Sequence, residues 1–176
     1  EMVPMCTRGL QDAGVEAVLK HFPGHGDTAE DSHSGYASSY KSLDELKQCE
    51  FLPFQAGISA GASFVMMGHI SLPNILDSQV PASLSSLVVQ DLLRQELGFD
   101  GVIITDALNM GAVSENYTSA DAAVKAVEAG VDMLLMPADF AGAYHALVNA
   151  VYTGEISEQR IDESVRRIIQ VKEKLS

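Results

Sequence analysis

At 176 residues, with 47% apolar content and no tryptophan, the chain suits one globular domain whose core is filled by aliphatic and methionine side chains. A formal charge of −13 repels phosphate backbones and anionic lipid, which argues against nucleic acid and membrane surfaces as partners. No run approaches the ~18 apolar residues of a membrane span, and Cys6 and Cys49 have no ligand spacing and read as free, buried thiols.

In chain order, one unit recurs four times: a helix-like stretch ends at a glycine, and an apolar strand follows. Gly14 precedes 15–22 (VEAVLKHF), Gly61 precedes 63–69 (SFVMMGH), Gly98 precedes 101–106 (GVIITD), and Gly130 precedes 131–137 (VDMLLMP). A glycine just past a helix supplies the left-handed residue that ends it. Near-continuous apolar strands fit parallel strands covered on both faces. Between them, Ser42-Leu43-Asp44-Glu45 has the form of a capping box and starts a helix running to about residue 60. Leu84, Leu87, Val88 and Leu92 give the next helix an apolar stripe. Thr118 opens another, and two more are expected near 139–153 and 157–174, the last capped by Ser157. Met66, Met67, Met133 and Met136 read as core fillers and His145 as a surface residue.

Strands alternating with helices give an α/β fold with a parallel sheet. No dinucleotide-type glycine fingerprint follows any strand. Polar residues collect instead at strand ends: Lys20-His21, His69 and Asp106. That is where a TIM-type (β/α)₈ barrel carries its chemistry. Such a barrel needs eight units in about 250 residues, and about four βα units are present, so either this chain holds half a barrel or the fold is a different one; with the resemblance given below, the half barrel is the expected fold.

The loop after the first strand, KHFPGHGDTAEDSHSGY (20–36), is the most informative stretch. It holds Lys20, His21, His25, Asp27, Glu30, Asp31 and His33, with Pro23, Gly24 and Gly26 to turn the backbone tightly. It can be read as a solvated loop, as a metal site or as acid–base machinery. A metal site would draw on His21, His25, Asp27 and His33, but the spacing matches no standard zinc pattern. In Asp31-Ser32-His33 the carboxylate and imidazole lie two residues apart, on the same side of an extended loop. The carboxylate can then orient the ring and stabilise its charged form, as a general acid requires. Asp106 closes an apolar β-branched strand. It can cap the following turn or act as a nucleophilic carboxylate facing a proton donor.

KHFPGHG, DSH and the strand ending in TDALNM together resemble glycoside hydrolase family 3, and within it the β-N-acetylhexosaminidase branch that acts on N-acetylglucosamine of peptidoglycan fragments. The resemblance extends through AGVDMLLMP to the closing RIDESVRRIIQVKEKL. It implies that residues 1–176 are the C-terminal part of a single catalytic barrel domain. It further implies a retaining hydrolysis with Asp106 as nucleophile and Asp31–His33 as an acid/base dyad. Lys20 and His21 would hydrogen-bond sugar hydroxyls, and His69 and Met110 would line the sugar site, His69 with a structural role as its equal alternative. No metal and no cofactor are expected, the partner is a carbohydrate, and the expected compartment is the cytoplasm. Because a neutral histidine repels an anionic nucleophile less than a carboxylate does, transfer to phosphate is an expected side activity. The alternatives are a β-glucosidase of the same family, a metal-dependent hydrolase, and an inactive, sugar-binding half barrel.

A half barrel leaves two strand edges and its inner face uncovered. Residues 1–176 alone are therefore expected to be unstable, to self-associate, or to need an N-terminal half of the barrel. Light scattering on this polypeptide should show association or poor folding; a well-folded, active monomer would contradict the expectation.

Overall fold

The computed structural model describes residues 1–26, 28, 37–76 and 80–175. Asp31 and His33 lie outside the described residues. The elements are α1 (Met2–Asp12), β1 (Val18–Phe22), β2 (Ala37–Ser38), α2 (Leu43–Gln48), α3 (Phe51–Ser59), β3 (Phe64–Met67) and β4 (Ile70–Ser71). A 3₁₀ turn (Ala82–Leu84) and a π-type helix (Leu87–Glu96) follow. Then come β5 (Val102–Ala107), α4 (Gly111–Ser114), α5 (Ser119–Ala129), β6 (Met133–Leu135), α6 (Phe140–Thr153) and α7 (Glu158–Lys174).

The four expected strands form one all-parallel sheet in the order β1-β3-β5-β6, each neighbour reached through a helical crossover. This is the curl of a (β/α) barrel, of which these strands make part. All four sequence-expected glycines have positive φ: Gly14 at 77°, Gly61 at 89°, Gly98 at 66° and Gly130 at 109°. These caps turn each helix back so that every strand runs in the same direction. A second, two-stranded parallel sheet pairs Ala37 with Ile70 and Ser38 with Ser71. It was not expected from the sequence, and it returns the polar loop to the sheet beside His69.

Register sorts the side chains by face. Leu19, Val65, Met67 and Ile103 point to the helices and join Phe22, Phe51, Phe54, Val88 and Leu93 in the main core. Phe22 stacks on Phe51 and meets Phe54 edge-on. The opposite face carries Val18, Phe64, Met66, Ile104 and Met133, which are exposed or half-buried. The sheet is thus covered on one face and partly open on the other, where the sequence reading had both faces covered; four strands do not curl far enough to close on themselves.

Other local expectations need correction. The single helix from 42 to 60 is two, because Pro53 cannot donate to the carbonyl of Cys49 and its ring would clash there. The capping box itself forms: Ser42 Oγ accepts from the Glu45 backbone N–H, and Glu45 accepts from the Ser42 N–H. The helix over 87–96 has π-type winding, with Leu97 N–H donating to the Leu92 carbonyl at 3.0 Å. Its inward face is Val88, Val89, Leu92 and Leu93, and Leu87 is exposed. Met136 is 58% exposed rather than in the core, because the chain leaves β6 there in a left-handed turn at φ 47°. Cys6 and Cys49 are free as expected but exposed, on α1 and at the C-cap of α2. Exposed apolar residues gather on α1 (Met2, Met5, Leu10) and on α6 and α7 (Tyr144, Val148, Ile169). Among the described residues no helix is long and apolar enough to cross a membrane.

At the N-terminal end of the sheet, one carboxylate organises the packing. Asp132, just before β6 and with its side chain fully buried, pairs with Arg94 and lies 3.0 Å from Arg167 Nη1. It also accepts from Ser164 Oγ at 2.6 Å and from the Ile103 backbone N–H at 2.9 Å. Arg160 lies 3.7 Å away and donates to the carbonyls of Val127 and Val131. Burial and mutual repulsion push the Arg94 guanidinium down to about 10, with Asp132 opposing that shift. Removing one partner of such a group leaves buried, uncompensated charge. Asp132→Ala should lower unfolding free energy by about 3–5 kcal/mol in urea titration, the range for a broken buried ion pair.

Candidate active site

Asp106 occupies the C-terminal end of β5 on the partly open face of the sheet, two residues beyond Ile104. Its Oδ1 accepts the backbone N–H of Ala107 at 2.8 Å, which fixes the carboxylate's rotation. Its Oδ2 then faces Nε2 of His21 at 3.4 Å, with both side chains partly solvent-accessible. The sequence placed both residues in the site but gave no sign that they meet across 85 positions. They meet because β3 alone separates β1 and β5 in the sheet.

His21 also stands edge-on to His25, with ring centroids 5.9 Å apart. Thr28 Oγ1 lies 2.5 Å from His25 Nδ1 and 2.9 Å from the His25 carbonyl oxygen, so this first turn of the loop folds back on itself. The loop leads from there into 29–36, which contain the Asp31–His33 dyad expected from the sequence. Lys20 is exposed and borders a small hollow beside Val3, Pro53 and Phe54. Met110 is buried and caps the short helix α4. Among the described residues no group of three or more His, Cys, Asp or Glu side chains could hold a metal ion.

His69 is only 1% exposed, just beyond β3. Its Nε2 lies 3.1 Å from the Ala107 carbonyl oxygen and its Nδ1 2.7 Å from Ser83 Oγ. A carbonyl can only accept, so Nε2 carries the hydrogen. In the neutral ring, Nδ1 then accepts the Ser83 hydroxyl proton. Burial pulls the His69 pKa below its usual value, against the opposing pull of the Ala107 hydrogen bond and the Asp106 charge. Ser83, fully buried in the 3₁₀ turn, was missed by sequence reasoning; PASLSS reads as an ordinary polar turn.

The segment after Asp106 is tied down further. Leu108 and Asn109 donate backbone N–H groups to the carbonyls of Leu135 and Met136, at 2.8 and 3.1 Å. A carboxylate held at a strand's carboxyl end, with a histidine-rich loop beside it, is the kind of site such sheets support for ligand chemistry.

The model of the glycosyl hydrolase family 3 N-terminal domain matches residues 1–171. The chain belongs to glycosyl hydrolase family 3. A beta-hexosaminidase A from Pseudoalteromonas piscicida is 36% identical over 188 residues, which cover 96% of this chain and 31% of that protein. A solved glycoside hydrolase family 3 beta-N-acetylglucosaminidase from Paenibacillus sp. str. FPU-7 superposes with a TM-score of 0.95 at 44% identity, over 98% of this chain and 33% of its own. A solved beta-glucoside phosphorylase, BglX, gives a TM-score of 0.89 at 33% identity, over 96% of this chain and 32% of its own. The chain spans about a third of the length of these relatives.

The neutral, buried His69 has a consequence for stability. Its folded-state pKa is depressed, so the unfolded chain binds its proton more readily. Its contribution is complete above the unfolded value near 6.5 and is lost as pH falls from there through the folded value. The groups facing it, Asp106 and His21, remain in place in a His69→Gln variant. Denaturant titrations at pH 7.5 and pH 5 should show the wild type losing more stability on acidification than His69→Gln.

Proposed function

We propose that this chain contributes to a retaining β-N-acetylglucosaminidase that releases terminal β-linked N-acetylglucosamine from peptidoglycan-type fragments. The observation that carries this reading is Asp106, held at the C-terminal end of β5 with Oδ2 turned toward His21. In this reading Asp106 attacks the anomeric carbon while the leaving glycosidic oxygen takes a proton from His33, giving a glycosyl-enzyme ester. His33, now neutral, removes a proton from the attacking water, and the C1–Oδ bond to Asp106 breaks with overall retention. Asp31 orients the His33 ring. His21 and Lys20 donate hydrogen bonds to sugar hydroxyls, and His21 keeps one edge of the nucleophile's carboxylate in place. The likeness to named beta-hexosaminidases and to a beta-N-acetylglucosaminidase structure supports the substrate class.

A second reading, transfer of the glycosyl group to phosphate rather than water, draws support from the likeness to a beta-glucoside phosphorylase. Both readings share the first step and differ in the acceptor. They separate by product: free N-acetylglucosamine in one case, its 1-phosphate in the other.

The test uses aryl glycosides and the full-length protein. The wild type should cleave an aryl N-acetylglucosaminide far faster than the matching aryl glucoside; the reverse preference would favour a β-glucosidase. Asp106→Ala should abolish turnover of both activated and poor leaving groups. His33→Ala should slow poor leaving groups by about 10²–10⁴-fold, the usual worth of a positioned acid, and activated ones much less. Equal losses for the two leaving groups would remove His33 from the acid's role.

A further inference from the structure

One fully hydrogen-bonded side chain near the site has no part in the proposed chemistry. His69 is sealed from solvent, spends both ring nitrogens on protein partners, and reaches the residue next to Asp106. We propose that His69, braced by Ser83, is a positioning residue for the nucleophile: it locks Ala107 and thereby aims the Asp106 carboxylate at the reacting carbon.

Ala107 links His69 to Asp106. Its N–H sets the rotation of the Asp106 carboxylate by donating to Oδ1. Its carbonyl accepts from His69 Nε2. Ala107 is therefore fixed on both sides, and its backbone cannot turn without losing the bond to His69 or the one to Asp106. The brace comes from outside β5. His69 follows β3, and Ser83 belongs to the turn before the π-type helix, so three separate chain segments converge on this residue. The two-stranded sheet starting at Ile70 anchors the backbone immediately after His69 to Ala37 and Ser38. The same sheet receives the returning end of the polar loop. One imidazole thus sits where the nucleophile's strand, its neighbouring strand and the loop's exit are joined.

A ring with no solvent access and no free nitrogen has nothing left to offer a sugar. Its direction of action is toward Ala107. A shift of about 1 Å in a reacting group can cost roughly 10²-fold in rate, so a group that only sets position can carry a large kinetic effect.

The inference rests on Asp106 being the nucleophile, and the test separates the two. In the full-length protein, His69→Ala should lower kcat on an aryl N-acetylglucosaminide by about 10²-fold, equally for good and poor leaving groups, with KM little changed. His69→Gln, whose side-chain amide places a donor near the former Nε2, should recover most of the loss. Ser83→Ala should fall between. A raised KM with kcat retained would make His69 a sugar contact and overturn the proposal. A lower melting temperature with kcat intact would leave it a packing residue and overturn it equally. Crystal structures give a readout independent of turnover: the Asp106–His21 contact should open in His69→Ala and be restored in His69→Gln. If that contact is unchanged in His69→Ala, the positioning role is wrong, whatever the enzyme's substrate. If it opens in His69→Ala while the wild type cleaves no glycoside, the positioning role stands and the glycosidase reading fails.

Discussion

The arrangement depends on a buried carboxylate far from the chemistry. Asp132 gathers Arg94 from the π-type helix, Ser164 and Arg167 from α7 and the Ile103 N–H from β5 onto one side chain just before β6. Burying charge is costly unless partners compensate each group. Here the compensation comes from elements far apart in sequence, so the cost of exposing any one of them is borne by all. The Arg94 guanidinium adds bonds to the carbonyls of Phe99 and Gly101, on the approach to β5. The N-terminal end of the strand that carries Asp106 is therefore fixed by ionic bonds, and its hydrophobic middle by Ile103 packing toward the helices.

The C-terminal end of the strand, where Asp106 lies, is held differently. Neutral hydrogen bonds do the work there: His69 to Ala107, Leu108 to Leu135, Asn109 to Met136. A contact that can be charged joins His21 to Asp106. This division matches the physics of parallel βα folds, where the amino ends of the strands serve stability and the carboxyl ends present chemistry. A strand anchored firmly at its base can hold a carboxylate at its tip in a partly solvated, reactive setting.

Local features were legible in the sequence wherever the cause is local. The four glycines that end helices, the Ser42–Glu45 capping box and the Ser157 cap each follow from backbone groups within a few residues, and each forms. The parallel strands were legible because their apolar runs are longer than any alternating pattern would allow. The interruption at Cys49 was also in principle readable from Pro53, whose ring forbids the continuous helix. The π-type winding at Leu87–Glu96 was not, since its apolar positions also fit an α-helical stripe. The family resemblance named candidate site residues, yet neither it nor the spacing revealed that His21 meets Asp106. The contact of His21 with Asp106 and the brace from Ser83 through His69 are set by strand order. Asp132 left one overlooked trace, an acidic residue inside the apolar run VDMLLMP, with the arginines that answer it lying up to 38 positions away.

The central claim is that Asp106 becomes covalently attached to the sugar. A fluorinated N-acetylglucosaminyl fluoride, which forms the glycosyl-enzyme faster than it hydrolyses, tests it most directly when the full-length protein is digested and mapped by mass spectrometry. The account predicts one equivalent of label, on the peptide containing Asp106 and on that side chain. Label on a different carboxylate, or stoichiometric inactivation with Asp106 unmodified, would contradict it.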